Sequence, residues 1–449
     1  MRFLEYSYAE LTHNPRFFNF KGGITMSSKL GFETLQLHGG QEPDKATGSR
    51  AVPIYQTASY MLENTEEAAK IFCGDKMGFT YSRIANPTVA VLEKRVALLE
   101  NGIDAAAFAS GTAAVVGSIL NITESGDEIL SAKNLYGGTY TLLNNSLKQY
   151  GIKTTFFDGQ NLEELKSLIN PKIKLVYLES IGNPNADIVP LKEIAEIAHS
   201  HNIPVIVDNT FGSPYLFKAF DFGADIVVHS ATKFLGGHGT TLGGVVVDSG
   251  NFDFNTEKFS MFINPDSNIG GKKYSDFGKN SYIVRMKKRV LTDFGACLSP
   301  FNAFMLLQGI ETLSLRMERH IKNALDIINF LENHPKVAWV SHPNAKGNPY
   351  GERAKEYFPK GAGSIFTFGV VGGAEACKKF IDSLQLFSHL ANVADAKSLI
   401  IHPASTTHAQ LTPEQQAFAG LKPETIRISV GLEHIDDLIE DLTQALGNI

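Results

Sequence analysis

Val228-His229-Ser230-Ala231-Thr232-Lys233-Phe234-Leu235-Gly236-Gly237-His238-Gly239 is the stretch on which the reading of this chain turns. The run Ala224-Asp225-Ile226-Val227-Val228 leads into it and has the makeup of a buried strand. Two hydroxyls and a lysine follow at once, Ser230, Thr232 and Lys233, and then a glycine-rich turn. A lysine fixed just past a buried strand can present its amine to a crevice while its stem stays put. Taken alone, the same residue reads as a solvated surface lysine beside a flexible loop. The neighbouring segments have to decide between these readings.

Upstream, the chain alternates between short apolar runs and helical patterns. The sequence predicts strands at Ala105–Ala109, Glu128–Ser131, Lys153–Phe157, Lys174–Leu178 (ending at Glu179), Pro204–Val207 (ending at Asp208) and Asp225–Val228. Between them, helices are expected at Ala113–Leu120, Thr139–Tyr150, Leu162–Ile169 and Leu191–His201, the last with Leu191, Ile194, Ile197 and Ala198 on one face. Largely apolar strands alternating with helices indicate an α/β fold with a mostly parallel central sheet. Such sheets bind ligands beyond the carboxyl ends of their strands. That rule places Glu179, Asp208 and Ser230 to Lys233 in one crevice.

The flanks are organised differently. Residues 27–85 are rich in turn formers and read as an arm, and Pro87 opens a helix. Residues 250–285 read as a polar, irregular, loop-rich excursion. Phe301–Phe330 reads as helical. After His334-Pro335 come strand patterns at Ser364–Val370, Ser398–Ile401 and Thr425–Val430, with helices at Ala374–Ser383 and Ile435–Leu446. This is a smaller C-terminal α+β domain. Residues 1–25 lack the continuous apolar core of a signal peptide. They read as an extension, disordered or lying on a neighbouring subunit, with Met26 as a second possible start.

The 449 residues carry a formal charge of −6 and no basic stripe, which argues against a nucleic-acid partner. No apolar run reaches the roughly 20 residues of a membrane span. The three cysteines are far apart and odd in number. They suggest neither a disulfide framework nor a zinc site, and they fit the reducing cytoplasm. His402 and His408 read as loop histidines beside a substrate entrance, so no metal is expected.

The residues at strand ends form a set. Lys233 supplies an amine and Asp208 a carboxylate. Ser110-Gly111-Thr112 opens a helix, where free N–H groups favour an anion. Ser230 and Thr232 add hydroxyls, and Tyr136 adds a ring that can stack. Individually these also read as an N-cap, a turn residue and a core tyrosine. Together they meet the needs of pyridoxal phosphate: a lysine for the Schiff base, an aspartate to keep the pyridine nitrogen protonated, and a seat for the phosphate. A nucleotide P-loop is excluded by order, because Lys233 precedes the glycines. Those glycines therefore read as backbone clearance near a ligand.

Six segments carry a resemblance: Tyr81-Ser82-Arg83-Ile84-Ala85-Asn86-Pro87-Thr88, Leu135-Tyr136-Gly137-Gly138-Thr139, Glu179-Ser180-Ile181-Gly182-Asn183-Pro184, Val207-Asp208-Asn209-Thr210, Ser230-Ala231-Thr232-Lys233, and Arg427-Ile428-Ser429-Val430-Gly431-Leu432-Glu433. From about residue 31 to the end the chain resembles the Cys/Met-metabolism family of pyridoxal-phosphate enzymes. The resemblance implies the aspartate-aminotransferase-like fold (fold type I) and a homotetramer, a dimer of dimers. It divides the chain into an extension and arm touching the neighbouring subunit (1–85), a large cofactor-binding domain (86–298) and a C-terminal domain (299–449).

The resemblance also implies roles. Lys233 is the Schiff-base lysine and proton shuttle, and Asp208 binds the pyridine nitrogen. Tyr136 stacks on the ring and assists proton transfer. Gly111, Thr112, Ser230 and Thr232 hold the phosphate, with Thr112 standing where the family often has methionine. Tyr81 and Arg83 reach the neighbouring subunit's cofactor. Asn183 approaches the ring hydroxyl, with Glu179 behind it. Arg427 clamps the substrate carboxylate, and Asn392 lies nearby, where some members have serine.

Within the family, the length, the 250–285 excursion and the stretch Asn392–His408 resemble the sulfhydrylases of O-acetylhomoserine. Gly138 stands where methionine γ-lyases commonly carry cysteine. The expected reaction is γ-replacement, with O-acetylhomoserine and sulfide (or methanethiol) giving homocysteine (or methionine) and acetate. The alternatives are a cystathionine γ-synthase, a methionine or cystathionine γ-lyase, and a non-catalytic cofactor-binding scaffold.

Overall fold

The computed structural model describes residues 30–449 apart from Met77, His408, Gln410, Leu411, Pro413, Gln415 and residues 417–419. The 1–25 extension and His408 thus lie outside the described residues. The chain builds two sheets. The larger has seven strands: β1 (Asp104–Phe108), β2 (Glu128–Ala132), β3 (Lys153–Phe157), β4 (Ile173–Glu179), β5 (Val205–Asp208), β6 (Ile226–Ser230) and β7 (Gly244–Asp248). Their spatial order is β1-β7-β6-β5-β4-β2-β3. The pairs from β3 through β2, β4 and β5 to β6 are parallel, and β7 runs antiparallel to both β1 and β6. Every residue of β4 but Lys174 is buried. That suits a strand covered by helices on both faces.

Local chemistry explains the helices that cover it. The helix α3 (Pro87–Glu100), which follows α1 (Phe32–His38) and α2 (Thr65–Phe72) of the arm, has proline in its first turn. Its cap Asn86 accepts from the N–H groups of Thr88 and Val89, and it ends at Asn101 in the left-handed region. The helix α4 (Gly111–Leu120) is capped by Ser110, whose Oγ accepts from Ala113 N at 3.1 Å. On the outer part of the sheet lie α5 (Leu162–Leu168) and α6 (Leu191–His199). The latter buries Leu191, Ile194, Ala195 and Ala198.

The second sheet has β8 (Val337–Ser341), β9 (Ile365–Val370), β10 (Ser388–His389), β11 (Leu399–Ile401) and β12 (Thr425–Ser429), in the order β10-β11-β12-β9-β8. It is reached through α7 (Pro300–Ile310) and α8 (Leu313–Glu332), and α9 (Gly373–Ser383) and α10 (Ile435–Gly447) pack on it.

Five readings need correction. The strand β7 is not anticipated, because its Val245-Val246-Val247 follows a glycine run that masks its start. The glycines themselves make room for protein atoms: a Cβ at Gly237, where φ is +72°, would stand 2.1 Å from Arg316 Nη1. The 301–330 helix is two helices, α7 and α8, separated at Glu311-Thr312. The 139–150 helix is a short α-turn at Gly137–Thr141 followed by π and 3₁₀ turns to Tyr150.

The largest correction concerns residues 250–285. Phe254, Phe259, Phe262, Ile269, Tyr274 and Tyr282 are all buried there, with Phe254 4.9 Å from the Tyr282 ring and 5.3 Å from Phe262. The polar residues are turn formers. Asp253 accepts from Asn255 N and Asp266 from Asn268 N. This segment is a second half of the core rather than an excursion.

Candidate active site

The strand ends of β5 and β6 are level, since Asp208 pairs in register with Val228. Thr210 links them: its N–H donates to Asp208 Oδ1 at 3.0 Å, and its Oγ1 accepts from Ser230 N at 2.8 Å. From β4, the Tyr177 hydroxyl donates to Asp208 Oδ2 at 3.4 Å. Burial pushes the Asp208 carboxyl above the ordinary range, against the hydrogen bonds from Thr210. A deep carboxylate held by neutral donors is a seat for a cation, which would keep it charged.

Lys233 lies one turn past β6. Its amine donates to Asn392 Oδ1. Burial first, and then the positive charge of Arg427, lower its pKa to about 8, while Asp395 opposes the shift. The amine is therefore far more often neutral near physiological pH than that of a solvated lysine.

Arg427 comes from the other sheet. It sits on β12, is buried, and reaches Asn183 Oδ1 with Nη1 at 3.4 Å. Burial lowers its pKa to about 10, and the Tyr136 hydroxyl acts in the opposite direction. Tyr136 follows β2 and is half-exposed. Its backbone N–H donates to Glu179 Oε1 at 2.6 Å, so the carboxylate at the end of β4 holds the tyrosine's backbone. Burial, followed by the charge of Asp208, keeps the Glu179 carboxyl well above its usual range.

The start of α4 is the helix end at which the sequence predicts an anion. A Cβ added to Gly111 would stand 2.5 Å from Ser230 Cβ and 2.6 Å from its Oγ, so only glycine lets this helix rest on the end of β6. That contact sets the first turn of α4 against the Ser230 side chain. Thr112 itself is exposed. The Thr232 hydroxyl accepts from Gly243 N at 3.1 Å and lies 3.3 Å from Gly243 O, which closes the turn between β6 and β7.

Lys233, Asp208, Ser230, Gly111, Asn183, Arg427, Asn392 and Tyr136 are thus linked in one region. Among the described residues, no hydrogen bond or ion pair ties Tyr81 or Arg83 to it. Tyr81 is exposed, the Arg83 guanidinium lies 5.5 Å from its ring, and Arg83 donates to the Thr292 carbonyl. Sequence reasoning missed Tyr177, Thr210 and Asp395. Strand alternation offered a signal for Tyr177, which shares a face with Glu179 two residues on. His402 is buried and hydrogen-bonded at both ring nitrogens, to Ser405 Oγ and Pro423 O, so it does not stand at an entrance.

A buried lysine of lowered pKa, a deep carboxylate on the neighbouring strand and a helix start with free N–H groups are the parts that the site of a pyridoxal-phosphate enzyme needs. Its donor set fits the cofactor: Lys233 for the aldehyde, Asp208 for the ring nitrogen, and Gly111 with Ser230 for the phosphate. The chain belongs to the family described as Cys/Met metabolism PLP-dependent enzymes, whose profile matches residues 33–447. It is 48 % identical to the O-acetyl-L-homoserine sulfhydrylase of Leptospira meyeri, over 95 % of this chain and 99 % of that one. It is also 48 % identical to the homocysteine synthase of Schizosaccharomyces pombe, over 92 % of this chain and 98 % of the relative. In structure it is similar to a putative O-acetylhomoserine (thiol)-lyase from Campylobacter jejuni, which carries a pyridoxyl-lysine monophosphate. The TM-score is 0.91 at 40 % identity, over 93 % of this chain and all (100 %) of that one.

Proposed function

We propose that this chain catalyses γ-replacement on O-acetylhomoserine, with sulfide as nucleophile, giving homocysteine and acetate. The observation that carries this reading is the meeting of Lys233 and Arg427, brought from two different sheets, at one crevice. One is an amine base and the other a carboxylate clamp. The choice of substrate is supported by the names of the relatives just described.

Bound pyridoxal phosphate supplies an electron sink at the substrate's α-carbon. Arg427 holds the α-carboxylate with two parallel N–H donors, a task suited to a planar guanidinium. Lys233 Nζ, whose pKa burial lowers to about 8, takes the α-proton and moves a β-proton. Acetate leaves the γ-carbon with the bonding pair, and the sulfide sulfur forms the new bond there. Asp208 would hold the ring nitrogen, Tyr136 would cover the ring and Asn183 would meet the ring hydroxyl, while Asn392 accepts from the Lys233 amine.

Tyr81 and Arg83 act on the cofactor of a neighbouring subunit, in a homotetramer of two dimers. The exposure of Tyr81, and the bond of Arg83 to the Thr292 carbonyl rather than to a residue of the crevice, support this. So does the exposure of Tyr55, Met61, Leu62, Phe72 and Phe79 along the same arm. The arm (1–85), the large domain (86–298) and the C-terminal domain (299–449) are the functional divisions. A cytoplasmic location is supported by Cys73, Cys297 and Cys377 all being free thiols. No helix among the described residues is long and apolar enough to cross a membrane.

The test is an assay of the cofactor-loaded protein with O-acetylhomoserine, O-succinylhomoserine, methionine and cystathionine, each with and without sulfide or methanethiol. Acetate and homocysteine should appear from O-acetylhomoserine only when sulfide is present. Acetate release that is unchanged without sulfide, or faster turnover of methionine or cystathionine, overturns the reading.

A further inference from the structure

Behind the sheet, on the face away from Asp208 and Ser230, lies a buried acid that the proposed reaction does not use. Glu100 is the last residue of α3 and is 0 % exposed, and His229 is 1 % exposed. Glu100 Oε1 lies 2.5 Å from His229 Nε2 and also accepts from Asn209 Nδ2 at 3.0 Å. Each of these partners is the chain neighbour of a residue in the crevice. Asn209 follows Asp208, and His229 precedes Ser230. Strand alternation sends His229 to the opposite face from Val228 and Ser230. One carboxylate therefore grips, from behind, the ends of both strands whose front faces carry the site.

We infer that Glu100 is a positioning residue: through His229 and Asn209 it fixes the ends of β5 and β6, and so the spacing of Asp208 and Ser230 that the cofactor spans. The inference rests on the reading of Asp208 and Ser230 as cofactor contacts. The surrounding bonds agree with it. Asn209 is tied in addition to the Phe217 carbonyl at 3.0 Å, and its N–H donates to Val228 O at 2.9 Å across to β6. On the front face, Thr210 bridges the same two strands between Asp208 and Ser230. The strand ends are thus bridged on both faces, and Glu100 is the rear bridge. The imidazole of His229 also acts on Asp208, favouring its charged form. Glu100 Oε2 has no hydrogen-bond partner among the described residues. Two bonds therefore depend on one oxygen, and a carboxamide oxygen can replace it.

The test titrates pyridoxal phosphate into cofactor-free protein, following the bound cofactor's absorbance, and melts the same protein without cofactor. Loss of a buried acceptor should make Glu100→Ala bind the cofactor about ten-fold more weakly. Glu100→Gln keeps the acceptor and should stay within about three-fold of native. His229→Asn removes one of the two contacts and should cost about three-fold, which tests the idea even if Glu100→Ala does not fold. Leu442→Ala, a core change in α10 far along the chain, should lower the melting temperature without weakening cofactor binding. Native affinity in both Glu100→Ala and His229→Asn overturns the inference. So does a loss in Leu442→Ala that matches theirs at equal loss of melting temperature. Asp208→Ala separates the two levels. If it too binds as native, the cofactor reading fails; if it alone weakens binding, only the role of Glu100 fails.

Discussion

Two groups of residues from the same family motifs lie differently in a single chain. Lys233, Asp208, Asn183, Asn392 and Arg427 converge, although they come from strand ends of one sheet and from β12 and the loop between β10 and β11 in the other. Tyr81 and Arg83 stay on the arm, exposed or turned to the carbonyl of Thr292. The first group is held by networks inside the chain, such as Thr210 between Asp208 and Ser230, and Glu179 under Tyr136. The second has no such hydrogen bond to the crevice among the described residues. The difference separates what one folded chain assembles from what we propose a second chain completes.

The sharpest way to break that division begins with Lys233. Lys233→Ala removes the amine base and should lower turnover by about 10³-fold or more. Near-native turnover in the purified variant would remove Lys233 from the chemistry and the convergent group with it. The second test addresses the arm. Tyr81→Ala and Lys233→Ala should each be nearly inactive. Co-expressed in equal amounts with different tags, they should recover about a quarter of native activity, because about half of all dimers are mixed and each mixed dimer carries one intact site of two. A mixture as inactive as its parents would place Tyr81 in its own chain's site or outside catalysis.

The smallest expected effect is a pH dependence. Lys233 titrates at about 8 in the folded chain, against 10.5 for an ordinary lysine. Below about 8 both folded and unfolded chains hold the proton, and the cost of a buried ammonium is fully present. Between those values the unfolded chain binds more protons, so this site's contribution to stability rises with pH. Urea unfolding of the cofactor-free protein between about pH 7.5 and 10.5 should show that rise, and Lys233→Met should flatten it relative to native. Parallel curves for the two proteins would mean that the amine is not shielded from water.

Where sequence reasoning worked, the physical reason is local. The strands β4, β5 and β6 are apolar runs that end abruptly in Glu179, Asp208 and Ser230, so their carboxyl ends are marked by composition alone. Ser110 is a good cap wherever it is placed, and α4 begins where its chemistry says it should. Where the reasoning failed, the stabilising contacts are not local. Phe254, Phe259, Phe262, Tyr274 and Tyr282 recur at neither helical nor strand spacing, so they show no periodicity. They meet only because turns at Asp253 and Asp266 fold them together. Replacing one of them, such as Phe259, by alanine belongs with core truncations that cost about 3–5 kcal/mol.

The amino-acid sequence by itself determined the alternating α/β architecture, the lysine, the aspartate and the helix start that seats an anion, because each follows from a short run of residues and the backbone it favours. Only the tertiary structure decided that the glycines after Lys233 clear space for Arg316 and that β7 enters the sheet between β1 and β6. It alone showed Arg427 crossing from the second sheet to Asn183, and one buried carboxylate, Glu100, gripping two strand ends from behind. These are contacts between residues tens to hundreds of positions apart. Hydrogen-bond geometry and burial select them once the chain is packed, and no local pattern encodes them.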